Sequence, residues 1–230
     1  MLSVNIGRMR PFAPYRVRVP RRLVVLVAVP AVLLAGCSSE SRPEPDAPAS
    51  AIPGAWLERT AEGWPESKAF GGAIPVLASG TCVLTEEITA RGVTASDDLV
   101  GYGSYGDDRS APDAYRYVCD FRADGLSAQL QVVKAPSVDI ARKTVDLFLG
   151  EKTTKDQQNA PTTVKVGAVD VHVNKRWYPK PEYGEAVALF HDEEAKALVQ
   201  LEVTSLDADS FASYTPQQVA TDLMLELARA

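Results

Sequence analysis

The sequence predicts an α+β fold: a single domain with an antiparallel sheet built from hairpins, flanked by helices and carrying one disulfide. Three observations point there. Alternating apolar and polar runs come in pairs joined by short turn sequences, as in residues 115–123 and 126–132 around Asp124-Gly125. Stretches with a helical apolar stripe stand after such pairs, at 138–149 and near the C-terminus, rather than after every strand. Strands grouped in hairpins favour an antiparallel sheet over a parallel α/β one. Two cysteines, Cys82 and Cys119, follow what reads as an export leader, where an even count without a Cys-x-x-Cys spacing favours a disulfide.

The elements follow in order. Residues 1–36 read as a cleaved lipoprotein signal peptide. Six arginines precede any acidic residue, the apolar run 23–34 is 12 residues long, and Leu34-Ala35-Gly36-Cys37 has the pattern of a lipobox. Twelve apolar residues fall short of the roughly 20 needed to span a bilayer, but suit a signal peptide. Cys37 is the expected lipidation site, and its acyl chains anchor the chain at about 0.8 kcal/mol per buried CH₂. Arg21-Arg22 raises the twin-arginine export route, but its flanks fit poorly and the general secretory route is expected. Residues 37–55 then form a lipidated cysteine and a flexible Ser/Pro linker too poor in large apolar side chains to order itself.

The domain is expected over 56–230. Trp56, Leu57, Trp64 and Phe70 open it as irregular chain packed on the surface. Residues 85–91 suggest a short helix, with Thr85 as N-cap, Glu86 and Glu87 in its first turn and Gly92 as its stop. Residues 101–114, rich in Gly, Ser and Asp, read as the longest loop. Tyr115, Tyr117, Cys119 and Phe121 share one face of a strand, and Asp124-Gly125 is a type I′ hairpin signal leading into Ala128, Leu130 and Val132. A helix covers 138–149 and stops at Gly150. After a polar loop at 151–161, valines at 164–173 mark one or two strands about a bend at Gly167. Residues 177–184 read as an aromatic, proline-rich loop. A second hairpin joins 186–190 to 197–204 through a turn beginning at His191, and Thr215-Pro216 caps a final helix. The two hairpin-then-helix halves suggest a loose structural repeat.

Cleavage before Cys37 removes six of 24 basic residues and none of 30 acidic ones, leaving 18 against 30, a net charge of −12. Such a balance argues against nucleic acid and against clamping onto an anionic bilayer. For the two remaining cysteines a disulfide competes with reduced core thiols and with metal binding by His172 or His191.

Gly80-Thr81-Cys82-Val83-Leu84-Thr85-Glu86-Glu87-Ile88 and Tyr117-Val118-Cys119-Asp120-Phe121-Arg122-Ala123-Asp124-Gly125-Leu126 carry a resemblance. Both segments, with the leader and linker before them, resemble the actinobacterial lipoprotein family called domain of unknown function 3558. Thr81 and Phe121 depart from it, standing where proline and tryptophan are common. The resemblance implies a Cys82–Cys119 disulfide and a helix-flanked antiparallel sheet. It implies no chemistry, because that family has no assigned activity.

Catalytic patterns are poor. Ser104 lies in Gly101-Tyr102-Gly103-Ser104-Tyr105-Gly106, which is not a G-x-S-x-G elbow. Asp97, Asp98, Asp107 and Asp108 lack calcium-loop spacing and read as a solvated acidic loop. No catalytic residue, metal or other cofactor is expected. Tyr102, Tyr105, Trp177, Tyr178 and Tyr183 are candidate contacts for a ligand or a partner protein, against the alternative that they cover the sheet edges. The expected function is a membrane-anchored, extracytoplasmic binding module without catalysis. It would be held to the membrane by its N-terminal lipid, with an envelope or secreted protein as partner. The alternatives are a carrier or sensor of a small apolar or glycan ligand and, last, a hydrolase.

Overall fold

The structure, a computed structural model, describes residues 51–67, 74–105 and 113–230. The leader, Cys37, most of the linker, Phe70, Asp107 and Asp108 lie outside the described residues. The chain enters through helix α1 (Gly54–Ser67), which begins inside the expected linker and replaces the expected irregular chain. Trp56, Thr60 and Trp64 recur every four residues and are all buried, so one face of the segment has a helical stripe.

Five strands follow: β1 (Ala78–Ser79), β2 (Glu87–Ala90), β3 (Val93–Ser104), β4 (Tyr115–Ala123) and β5 (Leu126–Lys134). Helix α2 (Val138–Leu149) lies where the sequence placed it, with the Ser137 side chain capping its start. Then come β6 (Gln158–Val166), β7 (Val169–Pro179), β8 (Glu182–Asp192) and β9 (Ala197–Leu206), a short α3 (Ala208–Ser213) and α4 (Pro216–Ala228), opened by a Thr215/Gln218 capping box. The strands form one antiparallel sheet in the order β1-β3-β4-β5-β9-β8-β7-β6, with β2 also paired to β3.

Five sequence expectations are corrected. Residues 85–91 hold a strand, not a helix: Ile88 and Ala90 point into the core. The outer edge of β2 donates from Thr89 N to Glu226 Oε1 (2.9 Å), and Arg91 N beyond it donates to Asp222 Oδ2 (2.9 Å), so α4 stands in for another strand. The turn with two positive φ values, as type I′ requires, is Arg91-Gly92 (54° and 74°). At Asp124-Gly125 only the glycine has positive φ (78°), so the hairpin forms through another turn type. Residues 101–104 complete β3, and 177–184 are the tip of the β7–β8 hairpin, not loops. His191 lies on β8, ahead of the turn at 193–196.

The main core lies on one sheet face. Tyr117, Phe121, Leu130, Val199 and Leu201 meet Trp56 of α1 and Val219, Leu223 and Met224 of α4. On the other face α2 sets Ala141 and Val145 against Val133, Leu189 and Leu198. The strand order is pseudo-symmetric about the β5–β9 pair. A two-fold axis normal to the sheet would leave α2 and α4 on one face. They pack on opposite faces, so the suggested repeat stops at the strands.

Candidate functional site

The disulfide between Cys82 and Cys119, with Cα atoms 5.7 Å apart, ties the segment after β1 to the centre of β4. It excludes the thiol and metal alternatives for this pair. Its separation of 37 residues is worth about 4 kcal/mol of denatured-state entropy. Two further bonds fix the same segment. Cys82 N donates to Asp97 Oδ2 (2.7 Å), and Val83 N donates to the Tyr117 hydroxyl (3.0 Å). Asp97 is therefore a structural acceptor, and Asp98 pairs with Arg122 (3.3 Å).

The pinned segment forms one wall of a groove of about 560 Å³ between α1 and the β3 edge. Val76, Val83 and Val100 give it apolar sides, Tyr102 and Tyr117 its floor, and exposed Arg59 stands at its rim. Tyr102 belongs to an aromatic cluster, with ring centroids 4.6 Å from Tyr117, 6.0 Å from Trp64 and 6.1 Å from Tyr115. Its hydroxyl donates to Thr60 O (2.9 Å), and the Thr60 hydroxyl meets that of Tyr115 (2.9 Å). Burial pushes the phenols of Tyr102, Tyr115 and Tyr117 up, so the floor stays neutral. Gly63 permits the close approach of α1: a Cβ there would lie 2.5 Å from the Tyr102 hydroxyl oxygen.

No protein family, curated protein or solved structure matches the chain. The likeness drawn from the two cysteine segments has no such match behind it.

The structure spreads the five aromatic candidates over four places. Tyr102 floors the groove. The Tyr105 hydroxyl bonds that of Thr144 on α2. Trp177 packs on Phe211 with ring centroids 5.2 Å apart. Only Tyr178 and Tyr183 meet, stacked at 4.5 Å on the hairpin tip. The Tyr178 hydroxyl donates to Glu185 Oε2 (3.2 Å), and burial together with that carboxylate pushes it up to about 12. Beneath this pair Arg176 bonds Glu151 (2.9 Å) and lies 3.9 Å from Glu185, a half-buried ion network that the sequence reading missed.

Among the histidines, His172 Nδ1 lies 2.9 Å from the Thr163 hydroxyl as a cross-strand pair. The nearby carboxylate of Asp170 bonds Lys165 at 2.8 Å rather than the imidazole. Burial holds the His191 imidazole below its usual range, and its Nε2 is buried without a partner among the described residues. The groove residues span positions 59 to 117 in no common motif, so sequence spacing offers no signal for them.

Proposed function

We propose that the chain is a lipid-anchored, extracytoplasmic binding module that takes a small apolar ligand in the groove between α1 and β3. The observation that carries this reading is the groove: its volume falls in the range of small-molecule sites. Its walls are aliphatic, and the Tyr117 hydroxyl, which accepts from Val83 N and keeps its proton to donate, and the rim guanidinium of Arg59 supply the few polar groups such sites use for orientation. A flat aromatic contact for a partner protein has less support, because the candidate aromatics lie in four separate places and only Tyr178 and Tyr183 meet. Anchoring rests on Leu34-Ala35-Gly36-Cys37.

The ligand reading is tested with an apolar fluorescent probe, 1-N-phenylnaphthylamine. Exposed Ala78 lines the groove, so Ala78→Trp should fill it and abolish the probe signal at unchanged Tm. Equal probe binding by parent and variant would sink the proposal. Anchoring is tested separately by Cys37→Ser, expected to leave the protein unprocessed or released into the medium. Normal membrane retention of that variant would refute lipidation.

A further inference from the structure

A second cleft, of about 330 Å³, opens at the far end of the sheet, where the β4–β5 turn, the end of β9 and α3 meet. It is lined by Arg91, Arg122, Ser127, Thr204, Ser205 and Asp207 over an apolar base that includes buried Leu126 and Leu206. It lies opposite the point of chain entry, where Ile52 N donates to Asp192 Oδ2 (3.0 Å) at the other end of β8. We infer that this cleft is a site for an uncharged saccharide, separate from the apolar groove and independent of it.

Two observations carry the inference. The first is backbone conformation. Among the described residues only Arg91, Lys196 and Ser205 are non-glycine residues with positive φ, and Arg91 (54°) and Ser205 (58°) both line this cleft. The fold accounts for both conformations: Arg91 is the first central residue of the β2–β3 turn, and Ser205 lies in the bulge where β9 shifts register against β8. Asn or Gly would fit either backbone, so what the arginine and the serine add is their side chains in the cleft. The Ser205 hydroxyl has no hydrogen-bond partner among the described residues, and the Arg91 guanidinium has no carboxylate within ion-pair distance. It lies 6.0 Å from the Tyr214 ring centroid.

The second is the donor set. Asp207 Oδ1 accepts from Ser210 N (2.7 Å), and this bond holds its carboxyl below the usual range, so the group stays an acceptor at neutral pH. Arg91 offers donors, and the hydroxyls of Ser205, Ser127 and Thr204 offer both; Thr204 donates to Ser127 Oγ at 3.2 Å. Vicinal sugar hydroxyls, each donor and acceptor at once, match such a mixture, and the C–H face of a pyranose suits the leucine base. Charge points away from an anion. Arg122 is already held by Asp120 (2.8 Å) and Asp98 (3.3 Å), and Arg91 faces ionised Asp207.

Saturation-transfer NMR on the full-length chain tests this with D-glucose, D-galactose, D-mannose, N-acetyl-D-glucosamine and, separately, inorganic phosphate. At least one sugar should show transfer. Ser205→Gly and Arg91→Asn each remove a contact while relieving the backbone, so both should weaken binding about tenfold with Tm equal to or above the parent's. The inference is overturned by no transfer from any of the four sugars, by unchanged binding in both variants, or by binding of phosphate alone. A lowered Tm in both variants would overturn it too, by showing that the two side chains serve the fold.

Discussion

Gly101 shows how far one residue's chemistry depends on a neighbour remote in sequence. It sits in β3 opposite Val118, and a Cβ there would lie 2.3 Å from the carbonyl oxygen of Val76, a backbone atom that cannot swing aside. Gly54, at the start of α1, has nothing within 4 Å of its Cβ position. Gly101→Ala should therefore cost about 1–3 kcal/mol, while Gly54→Ala should be neutral or stabilise by up to about 1 kcal/mol. Denaturant unfolding of the two variants checks this; equal effects would show that the 74–77 segment does not press on β3. The sequence marks both positions as glycine and nothing more. Likewise Tyr102 reads as a loop aromatic until β3 extends to Ser104 and turns its ring toward Trp64. Cys82 and Cys119 were legible as a disulfide from their even count without a Cys-x-x-Cys spacing, behind a segment that reads as an export leader.

At the scale of elements, what was legible had a local cause. Helix α2 has its Ser137 cap, its stripe and its Gly150 stop within 14 residues, and α4 has its capping box. The β4–β5 and β8–β9 hairpins show their alternation in adjacent runs. Strand β2 had its cause elsewhere: Glu226 and Asp222 of α4, more than 130 positions away, hold the amides of Thr89 and Arg91. Glu226 is buried and also bonds Arg229 Nη1 at 2.6 Å. Glu226→Ala should thus cost about 1–3 kcal/mol and raise hydrogen exchange at Thr89, while amides in the β4–β5 ladder keep their protection. Unchanged exchange at Thr89 would show that β2 holds by its pairing with β3 alone. Helix α1 was missed because Gly54, Gly63 and Pro65 weaken its propensity, and the burial of Trp56 and Trp64 against the sheet overrides that.

Across the whole molecule, the sheet face opposite α1 and α4 collects charge. Glu202 on β9 lies among Glu185, Arg176, Arg116 and Gln200, whose Nε2 donates to it at 3.1 Å. Burial, reinforced by Glu185, raises its carboxyl above the usual range. A carboxyl raised on folding contributes stability that is fully present below its unfolded pKa and is lost as pH rises through the folded value. Glu202→Gln should therefore exceed the parent in Tm at about pH 8, with the gap closing toward about pH 4. Thermal unfolding across that range checks it, and a parent more stable at the alkaline end would mean that Arg176 and Arg116 outweigh the desolvation. His172 and His191 are lowered by burial and act with the opposite sign, but both are common to parent and variant and cancel in the comparison. The fold class, the β4–β5 and β8–β9 hairpins, α2 and α4 followed from the sequence by itself, because periodicity, caps and turn residues act within a few positions of the chain. The strand order, β2, the groove beside α1 and the cleft at Ser205 were decided only by the tertiary structure, because each is made by residues that meet across tens to more than a hundred positions, and no local pattern encodes which distant surface a residue will face.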